Sequence, residues 1–199
     1  MLSISPLAAI NTWIWGAWVV AIPLGLALVV AQRRPTWLGI DAVGAYAFLI
    51  AVYGASNLAA NIWIAQRGRR PGFALAYAGE TILGLAIGAM GAIAMTVPDS
   101  WLLPALAAAA FVGALGAPAH DIRFAFEIQT APPRALIAPV FRVRMTAAWG
   151  AVFVAGLVGP TLVRWWGIGP TILLMGVSMA AASAVGWTVL GREDRAAPW

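Results

Sequence analysis

Residues 44–79 read GAYAFLIAVYGASNLAANIWIAQRGRRPGFALAYAG, and the way this stretch is read decides the fold. An apolar run from Ala45 to Ala65 meets the basic turn Gln66-Arg67-Gly68-Arg69-Arg70-Pro71, and a second apolar run follows at once. Runs of about 20 apolar residues can cross a bilayer as helices, because a helix satisfies its own backbone hydrogen bonds. Arginines beside such runs stay on the cytoplasmic side, since carrying a guanidinium through hydrocarbon is costly. The stretch therefore reads as a helical hairpin whose cytoplasmic turn carries Arg67, Arg69 and Arg70, and that turn sets the direction of every other span.

Composition points the same way. Of 199 residues, 62% are hydrophobic and 10% charged, whereas soluble domains sit nearer a half and a quarter. The chain is predicted to be an all-α membrane protein with the lipid bilayer as its first partner. Its net charge of +5 comes from arginine alone. The arginines stand at the ends of apolar runs, a placement that fits topology and anionic headgroups, and no nucleic-acid partner is expected. Zero cysteines exclude disulfides, iron–sulfur clusters and thiolate metal sites. With one histidine, His120, neither a bis-histidine haem nor a zinc–histidine site is expected, so no cofactor and no metal are assigned. Nor does any cluster of acids, histidine pair or nucleophile with its base suggest a membrane enzyme. The first apolar run lacks a basic region before it and a cleavage site after it, and is expected to stay as a helix.

Breakers and charges cut out six spans, at about 10–31, 40–65, 72–97, 101–127, 138–164 and 169–190, followed by a polar tail at 192–199. Pro23 is expected to kink the first. The fourth turns polar beyond Pro118, through Ala119-His120-Asp121-Ile122-Arg123-Phe124-Ala125-Phe126-Glu127. Arginines then count by side. Arg67, Arg69, Arg70, Arg123, Arg134, Arg142, Arg144, Arg192 and Arg195 share the side of the termini, against Arg33, Arg34 and Arg164 opposite. That imbalance places both termini in the cytoplasm and Trp37, Trp101, Trp165 and Trp166 at the outer interface. High alanine and arginine without lysine suggest a bacterial source, hence a multi-pass protein of the bacterial inner membrane.

Three further segments carry a family resemblance. Gly54-Ala55-Ser56-Asn57 leads to Arg67-Gly68-Arg69-Arg70, Gln129-Thr130-Ala131-Pro132-Pro133 follows the fourth span, and Gly156-Leu157-Val158-Gly159-Pro160 lies in the fifth. The order resembles the C-terminal six-helix half of a major facilitator superfamily transporter, of the drug-efflux or siderophore-export type, over nearly the whole chain. It departs from the family in having Ala65-Gln66 where an aspartate often precedes the basic residues, and six spans instead of twelve. The resemblance implies one six-helix bundle that exports a small-molecule substrate by rocking against a second six-helix half, either a homodimer partner or a separate chain. The alternative is a non-transporting membrane subunit or a truncated transporter remnant.

In that fold the first, second, fourth and fifth helices line the cavity while the third, which carries Glu80, and the sixth support it from outside, and the polar residues take their candidate roles against that arrangement. Asn57 and Asn61, one turn apart and on a face with Gly54, are candidates to hydrogen-bond substrate or to glue helices together. Asn11, Trp15 and Trp18 share a face that offers an aromatic wall to an apolar or cationic substrate, or packs on the second helix. His120 and Asp121, near the Arg123–Glu127 pair, are candidates for the pathway mouth or an ordinary solvated helix end. Glu80, about 12 Å into the third span, is either a proton-coupling acid or a structural acid paired to an arginine. Its face continues as Gly84, Gly88 and Gly91, which predicts a closely packed neighbouring helix. Gly156, Gly159 and Pro160 favour close approach and a bend.

Overall fold

A computed structural model describes residues 4–35, 37–67 and 71–190. Arg69 and Arg70 of the basic turn and the tail at 192–199 lie outside the described residues. Six spans are long and apolar enough to cross a membrane, and no strand occurs among the described residues. The first span is α1 (Ile4–Val19), a π-helical stretch (Val20–Leu26) and α2 (Ala27–Arg33). The second is α3 (Ala42–Gln66) and the third α4 (Phe73–Thr96). The fourth is made of α5 (Asp99–Ala114) and α6 (Ala117–Thr130), and α7 (Ile137–Trp166) and α8 (Ile168–Leu190) are the fifth and sixth.

Local chemistry sets these bounds. Arg34 in the left-handed region, with Pro35 after it, ends α2. The Asp41 carboxylate accepts from the Gly44 amide at 2.7 Å and starts α3. Pro23 lies inside the π-helical stretch. Without an amide hydrogen it cannot complete the α ladder, and the wider turn takes up the mismatch. The expected span at 101–127 is found at Asp99–Thr130, with its helical hydrogen bonding interrupted at Leu115-Gly116, which both keep right-handed helical φ and ψ, and Pro118 sits in the first turn of α6. Gly167, with a φ of 85°, alone joins α7 to α8.

The closest packing is between α4 and α8. A Cβ added at Gly84 would meet the Ala180 amide nitrogen at 2.5 Å, one at Gly91 would fall onto Leu173 backbone, and one at Gly176 onto that of Gly88. The order of these contacts makes the two helices antiparallel. Elsewhere the first span packs on the fifth, side by side and parallel, with Gly16 against Ala151 and Gly159 against Leu24. The second packs on the fourth, the third on the fourth, and the first on the sixth. The first also meets the second, and the fourth the fifth.

Renumbering each span by three maps these contacts onto one another. First-with-fifth becomes fourth-with-second, third-with-fourth becomes sixth-with-first, first-with-second becomes fourth-with-fifth, and third-with-sixth maps onto itself. The contact of the fifth with the sixth has no counterpart among the main contacts. Because consecutive spans alternate in direction, a shift of three inverts the chain. The contacts exchanged by this shift thus join helices of reversed direction.

Candidate functional site

The third and fourth spans cross on bare backbone. A Cβ at Gly79 would land on the Gly116 carbonyl, and one at Gly116 on the carbonyl of Gly79. Only glycine at both positions permits this approach. The crossing puts the residue after Gly79 opposite the first turn of α6. There Glu80 and His120, each 3% exposed, bring carboxyl Oε1 and imidazole Nδ1 to 3.3 Å. Of the two sequence expectations for Glu80, a proton-coupling acid or an acid paired to an arginine, the second meets a different partner: the Gly79–Gly116 approach brings the His120 imidazole to it.

Around the pair the Tyr77 and Phe124 rings stand 6.0 and 5.7 Å from the imidazole. Glu80 Oε2, His120 Nε2 and the Tyr77 hydroxyl are buried without a hydrogen-bond partner among the described residues. Asp121 is the opposite case. Its carboxylate lies 4.0 Å from the same Nδ1, yet its side chain is 56% exposed. One nitrogen is thus shared between a buried carboxyl and an open one. Arg144, from the second turn of α7, lies over the Phe124 ring at 4.6 Å and acts electrostatically on both His120 and Asp121. Arg123 pairs with Glu127 at 2.6 Å, as their spacing allows, and lies over Phe73 of α4.

A cleft of about 80 Å³ opens between the first and fifth spans, lined by Trp15, Arg144, Met145, Ala148, Trp149 and Val152. Trp15 therefore looks onto this cleft beside a guanidinium. Trp18 turns away from it, edge-on to Trp15 at 5.8 Å and 6.4 Å from Tyr53 of the second span. Asn11 is 2% exposed and its amide nitrogen has no partner among the described residues. Asn57 and Asn61 are bonded within their own helix, the Asn61 amide donating to the Asn57 carbonyl and side-chain oxygen at 3.0 and 2.9 Å. The cross-helix bond here belongs to Ser56, whose hydroxyl donates to the Phe111 carbonyl at 2.6 Å. Arg67, exposed at the end of α3, stacks on Trp63 with 3.7 Å to the ring centroid.

At the opposite end of the bundle Arg33 donates to the Ala94 and Val97 carbonyls at 2.6 and 2.8 Å, and to Asp99 at 2.8 Å. One guanidinium thus caps the third span and ties it to the start of the fourth. Among the described residues no cluster of three or more acids, histidines or cysteines is placed to hold a metal.

Sequence reading had placed Glu80, His120 and Asp121 as separate candidates on two spans and had not placed Arg144 at the site. The available signal was depth. Glu80 lies about 10 Å from the start of α4 and His120 about 15 Å from the end of α6, measured from the same side of the bundle. Comparison with protein-family models, with curated proteins and with solved structures gave no match.

Proposed function

We propose that the chain is a transmembrane carrier bundle for a small molecule, of the kind that works as one of two six-helix halves in a major-facilitator-type exporter. The observation that carries this reading is the pairing of spans that recurs on a shift of three. Inverted sets of helices that rock about a midplane site are the usual construction of secondary transporters. Irregular turns in the first and fourth spans, which the shift exchanges, add to it. Such interruptions occur where helices line a substrate path.

Exposure supports a second bundle. Only 22% of the apolar stretch of the second span and 17% of that of the fifth is buried, against 39% or more in the others. These two spans also carry Gly54, Gly150 and Gly156 with open space beside them, and small residues in membrane helices favour close helix–helix contact. In this reading the connection at Arg67 faces the cytoplasm, and the Trp101, Trp165 and Trp166 end faces outward in a bacterial inner membrane. The cleft at Trp15 and Arg144 suits an apolar body with a negative group better than a cation.

Efflux of anionic, neutral and cationic fluorescent dyes from an exporter-deficient bacterial host tests the reading. Energy-dependent dye loss above empty-vector cells, strongest for the anionic members, supports it. A correctly inserted protein that moves none of them, alone or cross-linked as a dimer, counts for a non-transporting subunit.

A further inference from the structure

The imidazole of His120 stands between two carboxylates, Glu80 sealed inside and Asp121 half open to the surroundings, and both address its Nδ1. We propose that Glu80, His120 and Asp121 form a proton relay: Asp121 takes a proton from water, His120 passes it inward and Glu80 stores it.

The steps balance. Asp121 accepts a proton from hydronium, and after a change of rotamer its O–H gives that proton to Nδ1 of a neutral imidazole whose other proton stays on Nε2. The imidazolium then releases the Nδ1 proton to Glu80 Oε1, an O–H bond forming as the N–H bond breaks. Asp121 and His120 return to their starting states, and one proton has moved from water to Glu80. The 3.3 Å separation lies just beyond direct hydrogen-bond reach and closes with a shift of a few tenths of an ångström, and the exposed side chain has the freedom to close the longer 4.0 Å gap.

The charges facing the relay favour one proton. Glu80 and Asp121 contribute two negative charges and Arg144 of α7 one positive, so with neutral His120 the cluster stands at minus one. One proton brings it to zero, the cheapest state away from water. Tyr77, one turn before Glu80 on α4, stands 6.0 Å from the imidazole, and Tyr53 of α3 packs on Trp18 of the first span. Neither the first span near its start nor α8 brings a charge to this level among the described residues. The tight glycine crossing fixes the separation of the inner pair, and the polar atoms left without partners there, Glu80 Oε2 and His120 Nε2, are placed to carry protons.

The relay as a coupling device rests on the carrier reading; as a proton site it does not. His120 is the sole histidine, so ¹⁵N-histidine labelling of the full chain in nanodiscs gives one imidazole. Titrated from about pH 8 downward, past the ordinary histidine range, to the lowest pH at which the protein stays folded, that signal is expected to change together with the infrared band of a protonated, buried carboxylic acid. Glu80→Gln removes the band and flattens the imidazole response, while Asp121→Asn slows proton exchange with water roughly tenfold or more. An imidazole unchanged across the range, or a band that survives in folded Glu80→Gln protein, overturns the relay. If dye efflux persists with no proton at Glu80, the relay falls and the carrier stands; if the proton site behaves as described and no dye moves, the reverse holds.

Discussion

At the scale of single residues, two side chains do most to hold the spans in place. Arg33 spreads one guanidinium over two helix-terminal carbonyls and Asp99. Its replacement by glutamine is expected to lower stability by about 1–2 kcal/mol, since charge-assisted bonds are stronger than neutral ones but this site is part-exposed. Lysine should recover less than half, lacking the planar fork. Thermal unfolding in detergent reads both. Ser56→Ala, which breaks only the bond to the Phe111 carbonyl, should cost about 0.6 kcal/mol, typical of hydrogen bonds between membrane helices; a loss several times larger would mean that Ser56 has a further role. As individual residues, Glu80 is legible in the sequence as an ionisable group at depth, whereas His120 reads as part of a polar helix end and its burial does not show. Their meeting is not legible either, because it depends on Gly79 and Gly116, which lie 37 positions apart in the chain and show their purpose only once the helices cross.

At the scale of elements, the α4–α8 seam separates glycines that the sequence makes equivalent. Gly84, Gly88 and Gly91 all lie on one face, and small-residue spacing correctly implied a close neighbour. The structure divides them. A Cβ at Gly88 would find ordinary contacts at 3.7 Å, whereas at Gly84 and Gly91 it would strike the backbone of α8. Gly88→Ala should therefore be nearly neutral, and Gly84→Ala or Gly91→Ala should each cost about 1–3 kcal/mol as the helices are forced apart. Equal melting temperatures for all three would show that the seam is looser than described. The joint within the fourth span was half legible. Gly116 and Pro118 are breakers and the chain turns polar just beyond them, but the apolar run passes through Leu115-Gly116 itself, which hides where one helix ends and the next begins.

For the whole molecule, the number of spans and their alternation follow from hydrophobic length and the placement of arginine, whereas which span packs on which comes from side-chain volumes that single-sequence periodicity does not weigh. The chain has no cysteine, so single-cysteine variants report sidedness cleanly. Arg67→Cys in intact cells should resist a membrane-impermeant maleimide, and Trp101→Cys, at a position 68% exposed, should react. Labelling of both from the same side would overturn the alternating arrangement. If the second and fifth spans meet another bundle, Gly54→Cys and Gly150→Cys should form intermolecular cross-links at membrane concentrations where Leu85→Cys, on the third span and 59% exposed, does not.

The break at Leu115-Gly116 lies four residues before His120, and Glu80 is held on an unbroken helix. Any flexing of α6 about that joint must change the gap between the imidazole and the acid, and so the affinity for a proton. Thermodynamic reciprocity then requires the converse: a proton bound there shifts the angle at which the joint rests, by the same free energy. Posture and acidity become two readings of one equilibrium, and a clamp on either one sets the other.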